Sequence, residues 1–187
     1  MTLTSSAQDI AKQHLADDLP VRWKHVCAVA AKAGQVPHAF TEADYKILVA
    51  SAWLHDIGYS PSIRSTGLHA LDGARWLRQR GFNERVNALV AHHSCAIFEA
   101  REYGLEDKLS SEFDNEESPV TDALWYCDMT TGPNGESLEV DERLAEIRTR
   151  YGPDHAVTRF WMHAEPVLVA AVQRTRRRLS AAGVQPM

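Results

Sequence analysis

The segment from Ile47 to Leu54 is apolar on nearly every side, carrying Ile47, Leu48, Val49, Ala50, Ala52, Trp53 and Leu54, and it ends directly on His55-Asp56. A helix without a polar face belongs inside a core. A charge at that depth is costly unless it is paired or coordinates a metal. A metal accounts for a His and an Asp together at the end of such a helix.

The rest of the chain reads in a helical period almost throughout, with no alternating strand pattern of useful length. The expected class is all-α, a helical bundle forming a single domain over residues 1–187. A first helix fits Ser6 to Asp17. A second starts near Pro20 and ends at Gly34 in the C′ role. Thr41-Glu42-Ala43-Asp44 resembles a capping box and opens a third helix that runs into His55. A fourth spans Leu68 to Arg80, and Asn83 caps a fifth that reaches His93. The polar, acidic stretch from Leu105 to Ser118 reads as a loop, a candidate lid. Ser118-Pro119 starts a sixth helix ending near Asp128, and Thr130 to Ser137 is irregular. Helices over Val140–Arg150 and Asp154–Ala181 complete the chain, the last with a kink at Pro166.

Composition narrows the function classes. The content is 44% hydrophobic and 24% charged, with a net charge of −5 and no apolar run long enough to span a bilayer. The N-terminus lacks the pattern of a signal peptide, so a cytoplasmic location is expected. The negative charge gives no pull toward nucleic acid, and no membrane partner is expected. The basic run Arg174, Arg176, Arg177 and Arg178 suits a solvated helix end. Cys27, Cys95 and Cys127 show no Cys-x-x-Cys spacing and read as reduced, buried thiols.

Several of the nine histidines sit beside apolar helical segments. His25 precedes Val26 to Ala31, His92-His93 follow Val86 to Ala91, Asp128 follows Ala123 to Cys127, and His69 opens an amphipathic segment. Imidazoles and carboxylates from several helices can converge in a bundle to bind metal. Mixed nitrogen and oxygen ligands without thiolates suit one or two divalent ions among Mn, Fe, Co, Ni, Zn and Mg.

The ordered set His25, His55-Asp56, His69, His92-His93 and Asp128 resembles the HD superfamily of metal-dependent phosphohydrolases. The words "WLHDIGYSP", "GLHALDGARWL", "LVAHHS" and "LWYCDMT" carry the likeness over Val21 to Thr131. The resemblance implies a first metal on His25, His55, Asp56 and Asp128, and a second on His69 and His93 with Asp56 bridging. His92 and His93 point about 100° apart on a helix, and His93 is the preferred ligand of the two. The "GYP" branch acting on cyclic dinucleotides is not supported, because Cys95-Ala96-Ile97-Phe98 follows the double His. The branch degrading guanosine tetraphosphate usually continues His-Asp with acidic residues, whereas Ile57-Gly58-Tyr59 follows here.

The expected activity is hydrolysis of a small phosphoester such as a nucleotide by a metal-activated water, with His55 and Asp56 as catalytic residues. Two alternatives keep the same residues: a di-iron oxygenase, and a regulatory module that binds a nucleotide without cleaving it. Arg64, between the His-Asp pair and His69, is the expected phosphate contact, with Arg75 and Arg101 weaker candidates. Asp72 either orients His69 or is a solvated surface acid. Trp53 and Trp125 are core residues or pocket walls. His14, His38, His155 and His163 take surface or packing roles. The oligomeric state is open, a homo-oligomer included.

Overall fold

Helix α3 (Glu42–Leu54) lies at the centre of the molecule, and its side chains explain why. Ile47, Leu48, Val49, Ala50, Ser51, Ala52 and Leu54 are all buried, so beyond Lys46 the helix has no solvent face. Full burial of a leucine such as Leu48 or Leu54 contributes about 1.5–3 kcal/mol. The computed structural model describes residues 2–152 and 156–184. Around α3 pack α1 (Leu3–Leu15), α2 (Pro20–Ala33), α5 (Glu84–Ala91) and α8 (Pro119–Met129), while α4 (His69–Gln79) pairs with α5. The C-terminal α10 (Ala156–Ala181) covers α8 and α6 (Ala96–Glu102), and α9 (Val140–Tyr151) packs against α10. Among the described residues the only β pairing is an isolated bridge between Thr131 and Ser137, so the all-α class holds. No helix among them is long and apolar enough to cross a membrane.

Local chemistry sets the helix ends. Thr2 caps α1 through a capping box with Ser5, so the helix begins earlier than the expected Ser6. Thr41 accepts the Asp44 amide at 3.1 Å and caps α3. Asn83 accepts the Arg85 amide at 2.9 Å and caps α5. Gly34 keeps a right-handed backbone, with φ −66°, and so does not fill the left-handed C′ role.

Two expectations are corrected. Helix α5 stops at Ala91 rather than His93, because a tight turn over 93–95 follows, with Ser94 at φ 46° and Cys95 at φ 60°. The acidic stretch from Leu105 is a loop only over residues 113–118: its first half is α7 (Glu106–Glu112). Leu109 and Phe113, four residues apart, bury on one face of that helix. Arg75 grips Glu112, and Arg85 donates from Nε and Nη2 to the two oxygens of Glu116 at 2.7 Å. The expected start of the last helix at Asp154, and His155, lie outside the described residues. Helix α10 runs through Pro166.

One backbone crossing positions the site. The turn Ile57–Tyr59, just past the His-Asp pair, rests on α4 at two glycines. A Cβ on Gly58 would fall 1.9 Å from the His69 carbonyl oxygen, and one on Gly73 would meet the Gly58 nitrogen at 3.1 Å. Only glycine lets the two segments approach this closely. The contact fixes His69 next to Asp56.

Candidate metal centre

Five elements deliver one or two side chains each to a common point: α2 gives Arg22 and His25, α3 ends on His55 and Asp56, α4 begins at His69, the 93–95 turn gives His93 and Ser94, and α8 gives Asp128. His25, His55 and Asp128 form one group able to hold an ion, and Asp56, His69 and His93 a second. Within each group the offered ligand atoms lie within 4.8 Å of one another.

Asp56 joins the two. Its Oδ2 lies 3.3 Å from His55 Nε2 and 3.9 Å from His25 Nε2. Its Oδ1 lies 3.5 Å from His69 Nε2 and 3.7 Å from His93 Nε2. One carboxylate therefore faces both groups, an oxygen to each. Asp128 Oδ1 sits 3.0 Å from His25 Nε2 and 4.0 Å from His55 Nε2, while its Oδ2 accepts the Ser94 hydroxyl.

The ring orientations fit metal ligation. His25 Nδ1 lies 3.0 Å from the Gly132 carbonyl, His55 Nδ1 2.9 Å from that of Ala52, and His93 Nδ1 2.7 Å from that of Val90. A carbonyl only accepts, so each Nδ1 donates, and Nε2 is the atom turned toward the centre, where an incoming ion would displace any proton it carries and take its lone pair. His55 is fully buried, yet its Nε2 has no hydrogen bond. Buried polar atoms nearly always have a partner; this nitrogen faces the carboxylates of Asp56 and Asp128 at 3.3 and 4.0 Å, and a cation held among them would supply the missing one. The donor set, imidazole and carboxylate without sulfur, suits the divalent ions named above. With Asp56 shared, an ion at His69 and His93 would have three protein ligands and keep a position for water or substrate, as in catalytic rather than structural sites.

The electrostatics are strong. Burial would raise the Asp56 pKa, but Arg22, donating at 2.7 Å, and His55 together hold it well below the usual carboxylate range. Burial also opposes ionisation of Asp128, and the His25 hydrogen bond with the His55 charge outweighs it. Burial lowers the His55 pKa, whereas Asp56 and Asp128 raise it, with a net position of about 9. Burial and the adjacent His93 drive His69 well below its ordinary value.

The neighbours include residues absent from the sequence reading. Arg22 also lies over the Tyr59 ring at 4.1 Å, and Tyr59 stacks on His69 at 4.0 Å between centroids. Glu99, buried on α6, places Oε2 3.8 Å from His69 Nδ1. Burial pushes its carboxyl up to about 7. Arg143, Ile147 and Arg150, along one face of α9, close a cavity of about 80 Å³ over the centre together with Phe160 and Trp161 of α10. Lys32, buried on α2, donates to the Thr130 carbonyl at 2.6 Å and so ties down the end of α8 next to Asp128.

Other expected residues lie elsewhere. His92 belongs to neither group: its Nε2 donates to the Phe113 carbonyl at 2.9 Å, on the far side of the turn. Arg64 is exposed and does not line the cavity, because the loop carrying it is folded onto Asp72. Asp72 accepts the amides of Ser65 and Thr66 at 2.8–3.0 Å, and so organises the approach to His69 rather than touching it or facing solvent. Arg75 and Arg101 are paired with Glu112 and Glu106. Trp53 stacks on Trp23 and Trp125 lines a different cavity. His14 is bonded to Ser62, His38 is exposed and His163 stacks on Phe98.

The fold and the site define a class: an all-α scaffold with two His/Asp groups, joined by one carboxylate, able to hold metal ions. Residues 22–119, more than half of the chain, match the family model described as HD domain, and the chain belongs to that family of metal-dependent hydrolases. The matched segment holds the expected ligands from His25 to His93 and stops short of Asp128, which the fold brings in from α8. Comparison with curated proteins and with solved structures finds no match.

Proposed function

We propose that this protein hydrolyses a small phosphomonoester, with a nucleotide as the first class to test, using two divalent ions held by His25, His55 and Asp128 on one side, His69 and His93 on the other, and Asp56 between them. The observation that carries this reading is the division of the Asp56 oxygens between the two groups of imidazoles. Bound ions would supply a water of lowered pKa and polarise a phosphoryl oxygen.

The protein's own residues do the rest. Arg22, paired with Asp56, and Arg143 and Arg150, which share Glu146, line the cavity over the centre and also a neighbouring one of about 310 Å³, and Arg143 Nε has no hydrogen bond. Guanidinium groups favour phosphate through charge-assisted, forked hydrogen bonds. In this reading they hold the phosphoryl group in the small cavity while the rest of the substrate occupies the larger one. Phe160 and Trp161 keep water from the reacting face. Asp56 has both oxygens engaged and a strongly lowered pKa, so it is a poor base. Glu99, with a pKa near neutrality, suits the proton transfer to the departing alkoxide. The three arginines favour phosphate chemistry over oxygen activation at the same centre.

The test is a panel of nucleoside monophosphates and other phosphomonoesters, assayed with Mn, Fe, Co, Ni and Mg. Phosphate release that disappears in Asp56→Ala and falls about 10²-fold in Glu99→Gln supports the reading. An iron-loaded protein that consumes oxygen with a phosphorylated substrate and releases no phosphate by hydrolysis would overturn it.

A further inference from the structure

Among the described residues only Ser94 and Cys95 combine a side chain with a positive φ, at 46° and 60°. A Cβ disfavours that backbone, which persists only where the surroundings hold it in place. Glycine would make the same turn at position 94 without the penalty. What serine adds is a hydroxyl, and that hydroxyl has a defined partner. It donates to Asp128 Oδ2, on the carboxylate that α8 brings to the metal centre. Ser94 is buried and lines the cavity over that centre.

We propose that Ser94 is a positioning residue that confines Asp128 to a single ligand oxygen. Asp128 offers Oδ1 to the first group, 3.0 Å from His25 Nε2 and 4.0 Å from His55 Nε2, while the serine engages its other oxygen. The inference rests on the two-ion reading above. In that reading the first ion is surrounded by His25, His55, Asp128 and the shared Asp56, one protein ligand more than the second ion has. A carboxylate can bind an ion through one oxygen or through both. With both, Asp128 would take up a further position that water or substrate needs. The hydrogen bond from Ser94 occupies Oδ2 and keeps that position open.

The restraint is specific to Asp128. Asp56 has no need of one, because its two oxygens face different groups of histidines. The chain on either side of the contact is fixed by other bonds. Lys32 donates to the Thr130 carbonyl and hydroxyl at 2.6 and 2.8 Å and holds the end of α8. On the other side His93 Nδ1 donates to the Val90 carbonyl at 2.7 Å. The bond between Ser94 and Asp128 therefore sets the rotation of one carboxylate rather than the path of either segment.

The experiment is a cobalt(II) titration read by visible absorption, in the parent protein and in a His69→Ala background, where the first position reports alone. The d–d bands of cobalt weaken as its coordination number rises. Freeing Oδ2 in Ser94→Ala should therefore lower their intensity per bound ion about twofold or more. Ser94→Gly should show the same loss, although it relieves the left-handed backbone and should have the higher thermal midpoint of the two variants without metal. The glycine variant remains informative even if Ser94→Ala folds poorly. With His69 in place, both should lose about 10- to 100-fold in phosphate release. Band intensity unchanged in both variants, or lowered in Ser94→Ala alone, overturns the proposal. A parent protein that takes up no cobalt overturns this inference and the proposed activity together. The spectral effect of Ser94 in a protein that hydrolyses no phosphomonoester supports the inference and overturns the activity alone.

Discussion

Arg22 Nη1 donates to Asp56 Oδ2 at 2.7 Å, joining α2 to the end of α3 at the carboxylate that faces both groups of histidines. The same guanidinium lies over Tyr59, which stacks on His69. One cation thus orients the shared carboxylate and, through an aromatic ring, a histidine of the second group.

Arg22→Lys keeps the charge and loses the planar fork. A hydrogen bond between charged groups contributes about 1.5–3 kcal/mol, so kcat/KM for phosphate release should fall about 10- to 100-fold. Steady-state kinetics on the lysine and alanine variants check this, with the alanine variant the weaker of the two.

Metal content should follow the division into groups. The protein as isolated is expected to carry two equivalents of a divalent ion by elemental analysis. His69→Ala or His93→Ala should leave one, because His25, His55 and Asp128 remain together. Asp56→Ala should lower occupancy of both positions. Loss of only a fraction of one equivalent in Asp56→Ala would show that the carboxylate is not shared.

The pH dependence of metal uptake has a definite sign. The folded protein holds the His55 pKa at about 9, and ligation through Nε2 requires the neutral ring. Below pH 9 each ion captured at that position displaces a proton. Affinity should therefore rise with pH and level off above about 9. Competition with a chelating dye between pH 6 and pH 10, with proton release followed by calorimetry, gives the slope.

Gly58→Ala tests the crossing of the His-Asp turn over α4. The added methyl would meet the His69 carbonyl at 1.9 Å. Overpacking of this kind costs about 1–3 kcal/mol and sometimes more. A lower thermal midpoint is expected, together with loss of the metal held by His69. Gly67→Ala is the control: its φ of 91° also disfavours alanine, but nothing lies within 4 Å of the added Cβ, so it should be destabilised without that metal loss.

Much of this could be read along the chain, and the exceptions have physical causes. The all-apolar stretch before His55-Asp56 marks the central helix, since nothing else accounts for seven apolar side chains around one turn after another. Each histidine that the fold gathers sits beside a buried helical segment. Arg22 carried a usable signal, being three residues before His25 and so on the same helical face. Glu99 did not: it reaches the site only because two left-handed residues, Ser94 and Cys95, redirect the chain after His93, and neither is a glycine. Arg143, Arg150 and Trp161 arrive by tertiary packing of the last two helices, for which no local pattern speaks. In α7 the Leu109 and Phe113 spacing was present but was outweighed by the acidic composition around it. Arg64 has a suitable place in the chain, between His55-Asp56 and His69, but the bonds from the loop to Asp72 decide where that loop goes.

The three main-chain oxygens of Gly132, Ala52 and Val90 clamp their imidazoles from behind. A ring held in that way stays aimed when its cargo departs. The scaffold should accordingly survive demetallation with its fold intact and exchange one transition metal for another at little conformational cost. Which ion resides in the protein then follows cellular supply and the intrinsic affinity order of the ions more than any selectivity built into the helices.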